Sequence, residues 1–238
     1  MSIYIARTQL INKLVQFMRI FPTPSILKKF WSMKLLENTG DLVGYETLIE
    51  FIKRYGLIKL EGDFIEIGSF VGGGTSKLAR FSKKFGKTVY AIDIFDISAD
   101  KQKNVSGAMM SDLYSLYLQR LGMSQYQAYQ IMIRDLTNIV TIRNDSMKVI
   151  FPTDKKFMFG FIDGNHAPKY IMNDFYLIWQ HLVSGGVVAF HDYGGDLPLV
   201  TKTIDFIISK HEKEINKIVN LPEKKIIFII KRNGKKVT

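Results

Sequence analysis

Two short stretches hold most of the residues able to do chemistry. Asp163-Gly164-Asn165-His166 follows the apolar run Phe157 to Ile162, and His191-Asp192-Tyr193 follows Val187 to Phe190. Each run has strand length and ends in polar residues, as expected of a buried strand that delivers side chains at its C-terminal end. In a doubly wound sheet, adjacent parallel strands open into one crevice, so Asp163 and the pair His191, Asp192 are expected to converge. Two carboxylates and an imidazole there would hold a hard divalent cation such as Mg2+, completed by water and substrate oxygens. The chain has no cysteine, so oxygen and imidazole must supply the ligands of any metal, and no disulfide framework can form.

A third stretch, Asp63 to Phe81 (DFIEIGSFVGGGTSKLARF), reads as strand, glycine loop and helix. Phe64, Ile65 and Ile67 suit a strand buried on both faces, and Gly68 closes it. Gly72, Gly73 and Gly74 let the backbone turn and approach a ligand with no Cβ in the way. Leu78, Ala79 and Phe81 then return at helical spacing. Loop N–H groups and a helix N-terminus therefore face one crevice, which suits a nucleotide-type ligand. Asp93 lies near the end of the next apolar run, Thr88 to Ile94, where an acidic side chain accepts hydrogen bonds from ribose hydroxyls; Asp96 is the alternative. The dinucleotide fingerprint G-x-G-x-x-G is not met, because Phe70 stands at its second glycine.

What is met is E-I-G-x-F-x-G-G-G-T, from Glu66 to Thr75. This resembles motif I of class I S-adenosylmethionine-dependent methyltransferases, in the variant of the metal-dependent catechol- and macrocin-type O-methyltransferases. The segment FIDGNHAPKYIMNDFYLIWQHLVSGGVVAFHDY is similar to the matching region of macrocin-type O-methyltransferases and cephalosporin-hydroxylase-like proteins, and the resemblance covers about Asp63 to Lys231. It implies S-adenosylmethionine as cofactor, held by Glu66, Gly68, Ser69, Gly72, Gly74, Thr75 and Asp93. Asp145 and Ser146, after the short strand Ile139 to Ile142, would border the adenine ring. It also implies Mg2+ on Asp163, His191 and Asp192, with Asp163 catalytic.

Two positions depart from the family pattern. His191 stands where metal-binding relatives carry a carboxylate or amide, so metal dependence turns on whether an imidazole serves there. Asn165 stands where macrocin-type relatives keep an aspartate as general base, and an amide cannot take a proton at neutral pH. His166 is the expected replacement, at the spacing of the basic lysine of catechol-type relatives. A near-neutral imidazole is a workable base for a hydroxyl held by a cation. The alternative for His166 is a cap on the helix starting near Pro168.

The elements that must position these residues form, as the resemblance implies, an α/β fold. It is a three-layer, Rossmann-like doubly wound sheet of seven strands with a C-terminal antiparallel pair, plus N-terminal helices. Lys217 to Asn220 and Lys225 to Lys231, around Pro222, read as that pair. Helices are expected from Ser25 to about Leu36, Tyr45 to Tyr55, Gln125 to Leu136 and Thr201 to Lys210, and from about Pro168 through Trp179. Residues 1–58 are read as a helical extension, a cap on the cleft or a dimer contact, and 59–238 as the cofactor-binding domain. Residues 97–124 are an irregular insertion, whose Met109, Met110, Tyr114 and Tyr117 suit either a mobile lid or ordinary packing and dimer contacts.

Residues 2–21 place Ile3, Leu10, Leu14, Phe17 and Met18 near one stripe of a basic amphipathic helix, fit for a membrane surface, for the domain or for a second subunit. Arg7, Lys13 and Arg19 interrupt any signal-peptide core, and a cytoplasmic homo-oligomer is expected. The net charge of +11 is scattered over lysines, not gathered in a binding module. No Asn-Pro-Pro-Tyr or Asp-Pro-Pro-Tyr motif follows the fourth strand, which argues against amide or adenine N-methylation. The function expected is methyl transfer to a hydroxyl of a small molecule or saccharide. A nucleic-acid methyltransferase and a non-catalytic S-adenosylmethionine-binding protein are the alternatives.

Overall fold

Phe157–Ile162 is buried at every position, and a strand without an exposed face must lie inside a sheet covered on both sides. The computed structural model describes residues 25–233, with side chains from Ser32 onward. The amphipathic stretch 2–21 therefore lies outside the described residues.

In chain order the elements are α1 (Ser25–Thr39), α2 (Glu46–Arg54), β1 (Asp63–Ile67), α3 (Gly73–Lys83), β2 (Val89–Asp93), α4 (Met110–Leu121) and α5 (Gln125–Ile133). They continue with β3 (Ile139–Arg143), β4 (Phe157–Ile162), α6 (Pro168–Trp179), β5 (Leu182–Phe190), α7 (Pro198–His211), β6 (Ile215–Leu221) and β7 (Ile226–Lys231). The seven strands are ordered β3-β2-β1-β4-β5-β7-β6. β7 runs antiparallel to β5 and β6, and the other pairings are parallel. The expected doubly wound sheet with its terminal antiparallel pair is thus the observed one. Strand order reverses between β1 and β4, which opens a crevice at their C-terminal ends.

Alternation along β1 divides the core. Ile65 and Ile67 pack with Phe175 and Ile178 of α6 and Ile204 of α7. Phe64 faces the other way, onto Leu78 of α3 and the layer that includes Leu48, Phe51 and Ile52 of α2. Phe51 stacks on Phe228 of β7 with centroids 3.7 Å apart. The 46–54 part of the expected extension is therefore a layer of the sheet domain itself. A smaller cluster joins Leu36 of α1, Val71 of the glycine loop, Leu121 of α4 and Ala128 of α5.

Several boundaries differ from the expectation for local reasons. The insertion is not irregular throughout, because Met110–Leu121 is a helix; Leu113 and Leu116 are exposed on it, which blurs its apolar stripe in the sequence. α5 starts at a Ser124/Gln127 capping box and ends at Ile133, short of Leu136. β5 begins at Leu182, ahead of the apolar run Val187 to Phe190, because Gly185 (φ +75°) and Gly186 form an irregularity inside the strand.

Candidate active site

A cavity of about 240 Å³ lies over the C-terminal ends of β1 to β5. The glycines beneath it serve the fold first. Gly68 has φ +92°, and a Cβ there would lie 2.1 Å from the carbonyl oxygen of Asp163, so the ends of β1 and β4 approach too closely for any side chain. A Cβ at Gly73 would meet the backbone of Gly40 at 2.1 Å, and one at Gly74 the Tyr45 ring at 2.2 Å. Gly73 and Gly74 receive the 40–45 segment, and Gly68 and Gly74 line the cavity.

Glu66 is 0% exposed and accepts hydrogen bonds from Tyr45 Oη (2.6 Å), Ser69 Oγ (2.7 Å) and Thr75 Oγ1 (2.5 Å). Burial pushes its carboxyl up to about 7, against the pull of those donors. It fixes the loop from inside. Glu66, Gly72 and Thr75, expected at the ligand, therefore stand behind the cavity wall, whereas Ser69 is on it.

Asp93 lines the cavity at the end of β2, but its carboxylate already accepts the N–H groups of Ser69 (2.9 Å), Phe70 (2.8 Å) and Phe95 (2.6 Å), and Gln125 Nε2 at 3.2 Å. Burial raises its pKa and the three backbone donors oppose the rise. Phe70 and Phe95 both have positive φ, at 48° and 56°, in turns this carboxylate holds. Asp96 also lines the cavity and accepts from Ser98 N at 3.0 Å. At the end of β3, Asp145 caps Met147 N at 3.0 Å, and both Asp145 and Ser146 border the cavity. Tyr170 of α6 joins them, with its hydroxyl 3.4 Å from Asp145.

The ends of β4 and β5 meet as their adjacency requires. One ligand atom from each of Asp163, His191 and Asp192 lies within 4.8 Å of the others. His191 Nδ1 is 3.2 Å from Asp163 Oδ1 and 3.4 Å from Asp192 Oδ1. Burial alone would depress the His191 pKa, but the two carboxylates outweigh it and push it up to about 10. Two carboxylates and an imidazole fit a divalent cation by donor chemistry, provided the ion displaces the imidazole's proton.

His166 is not placed to act as a base. It is 5% exposed, with Nδ1 2.5 Å from Asp100 Oδ2 and Nε2 3.0 Å from Asp192 Oδ2. Burial opposes its protonation, yet these two partners push its pKa up to about 10, so it is an imidazolium with no free nitrogen. It is absent from the cavity wall, and the helix cap at Ala167 has no side-chain hydrogen bond, so the capping alternative also fails. His166 instead ties the start of the insertion to Asp192, whose own pKa is held well below the usual carboxylate range. Burial would raise it, but hydrogen bonds from His166 and His191 prevail. Asn165 does similar work, donating Nδ2 to Ala99 O and accepting Ala167 N, each at 2.9 Å.

Of the expected lid residues, Met110 and Tyr114 line the cavity, while Tyr117 bonds Thr39 Oγ1 at 2.9 Å. Sequence reasoning missed Asp41 to Val43 and Tyr45, which line the cavity from the segment before α2. Asp41 accepts from the amides of Val43, Gly44 and Tyr45, an Asx-type turn legible in Asp-Leu-Val-Gly. Nothing local shows that this turn folds over Gly73 and Gly74.

The family model described as a methyltransferase domain matches residues 65–193, more than half of the chain. A curated relative, the uncharacterized protein R132 of Acanthamoeba polyphaga mimivirus, is 26% identical over 131 residues, covering 55% of this chain and 51% of that protein. The match thus spans about half the length of that relative. Among solved structures, the O-methyltransferase NovP superposes with a TM-score of 0.52 at 18% identity, over 77% of this chain and 81% of that one. CalS11, a TDP-rhamnose 3′-O-methyltransferase of calicheamicin biosynthesis, superposes with a TM-score of 0.56 at 13% identity, over 94% and 93%. These likenesses establish a shared fold.

Proposed function

The chain belongs to the methyltransferase-domain family, and from that premise we propose that it transfers the methyl group of S-adenosylmethionine to a hydroxyl oxygen of a small molecule or saccharide. The observation that carries the reading is the single cavity that gathers Ser69, Asp93, Asp145 and Ser146 at one end and Asp163, His191 and Asp192 at the other. The first group is assigned to the cofactor. Asp145 and Ser146 border the adenine, and Asp93 reaches the ribose while holding the glycine loop. The second group is assigned to the acceptor. NovP and CalS11 are O-methyltransferases by name, and CalS11 methylates a sugar hydroxyl, which agrees with an oxygen acceptor.

In the proposed step the acceptor oxygen attacks the methyl carbon, the carbon–sulfur bond breaks with its electrons on sulfur, and the hydroxyl proton leaves. The protein's main contribution is alignment of the two reactants. Asp163 faces the cavity and is assigned as the carboxylate beside the acceptor's proton; His166 holds Asp192 in place. Asp163, His191 and Asp192 would hold a divalent cation, Mg2+ in the first instance, which when bound polarises the acceptor oxygen and eases loss of its proton. The test is release of S-adenosylhomocysteine from S-adenosylmethionine across a panel of hydroxyl acceptors, with and without chelator. Acceptor-dependent release supports the reading. Cofactor binding with no transfer to any acceptor would return the chain to a binding role.

A further inference from the structure

The charge of the cavity runs against the charge of the chain. The chain carries +11, yet seven aspartates line the cavity and, among the described residues, no lysine or arginine does. Part of that negative charge is engaged within the fold. Asp41 accepts three backbone amides and pairs with Lys77 Nζ at 2.7 Å, and Asp93 is filled by the loop. Asp100, Asp163 and Asp192 gather at the acceptor end, where His191 is the one histidine on the wall and His166 bridges Asp100 and Asp192 from behind, and Asp96 and Asp145 add two more carboxylates to the wall. The apolar part of the wall includes Leu42, Val43, Ile97, Met110 and the Tyr114 ring.

A phosphate or carboxylate needs a guanidinium fork, an ammonium or a set of free backbone amides. Here the amides of Ser69 and Phe70 already serve Asp93. An anionic group would be desolvated beside like charges, and the cations nearest to it, His191 or a metal ion in its place, are already engaged by Asp163 and Asp192. A cation on Asp163, His191 and Asp192 would offset those two carboxylates, and with His166 paired to Asp100 it would leave Asp96. Resting on the methyl-transfer reading above, we propose that the acceptor bears no phosphate or carboxylate. The cavity takes uncharged or cationic hydroxyl compounds and rejects phosphorylated sugars, nucleotide sugars and nucleic acid.

The test uses the full chain and scaffold-matched acceptors: methyl glucoside, glucosamine, glucose 6-phosphate and UDP-glucose, and 4-methylcatechol, dopamine and 3,4-dihydroxybenzoate. Release of S-adenosylhomocysteine is measured for each with Mg2+ and with chelator. Within any set that is turned over, kcat/KM of the anionic member is expected to be at least about tenfold below that of its uncharged partner, a gap of roughly 1.4 kcal/mol. In parallel, the chain loaded with S-adenosylhomocysteine is titrated with pyrophosphate and UDP-glucose, and no binding tighter than about 1 mM is expected. Ile97→Lys, which places an ammonium on the apolar wall, should narrow the gap. Equal or better turnover of an anionic member, or tight pyrophosphate binding, would overturn the proposal. If no acceptor of any charge is methylated, the methyl-transfer reading falls, while the pyrophosphate titration still decides the charge of the cavity.

Discussion

Three hydroxyls converge on the buried Glu66, so the shape of the glycine loop depends on one acidic side chain. Glu66→Ala would leave Tyr45, Ser69 and Thr75 without their acceptor, and a loss of about 3 kcal/mol is expected in urea unfolding, the scale of stranded buried donors. Asp174 of α6 is also 0% exposed, and its Oδ2 makes no hydrogen bond. Burial pushes its pKa up to about 6. The folded chain therefore binds this proton more tightly than the unfolded chain, whose carboxyl titrates near the ordinary value of about 4, and stability falls as pH rises from about 4 to 6. Asp174→Asn should flatten that slope and gain about 2 kcal/mol at pH 8, read from unfolding midpoints across pH. An unchanged slope would exclude the buried carboxylate as its source. The place of Asp163, His191 and Asp192 was legible because strand ends are set by apolar runs. The state of His166 was not, because its partner Asp100 lies 66 positions away and spacing says nothing about such a contact.

At the level of elements, the glycine loop and the 40–45 segment are fitted backbone to backbone. Gly73→Ala would drive a Cβ into the Gly40 carbonyl, and a loss of at least about 2 kcal/mol is expected, since backbone cannot turn aside as a side chain can. Gly86→Ala serves as the control for loop substitutions; no atom lies near its Cβ position and only its φ of +65° is strained, so its loss should be about 1 kcal/mol. The insertion is tied down by Asn165 and His166. His166→Ala should therefore raise amide hydrogen exchange in residues 97–109 while β1 to β5 stay protected, and unchanged exchange would show that the tether is idle. The strands and α6 could be read from the sequence because their residues are buried on a fixed period. α4 could not, because it lies half on the surface and its apolar residues face both α1 and solvent.

For the whole molecule, one sheet order brings five strand ends to a single crevice, and apart from the 40–45 segment the cavity wall falls within the stretch that the family model matches. The layer order was legible in the alternation of short apolar runs with helical ones. That α2 completes a layer and that residues 41–45 wall the cavity was not, because both depend on contacts between distant segments. The central claim is that this cavity binds S-adenosylmethionine, and calorimetric titration with S-adenosylhomocysteine tests it most directly. Ile94, at the exit of β2, lines the cavity and is 42% exposed, so Ile94→Trp obstructs the cofactor end with little strain on the fold. The account predicts one-to-one binding to the wild-type chain in the range of about 1 μM to 1 mM, and at least about tenfold weaker binding to Ile94→Trp. No binding to the wild type, or equal binding to both proteins, would contradict it.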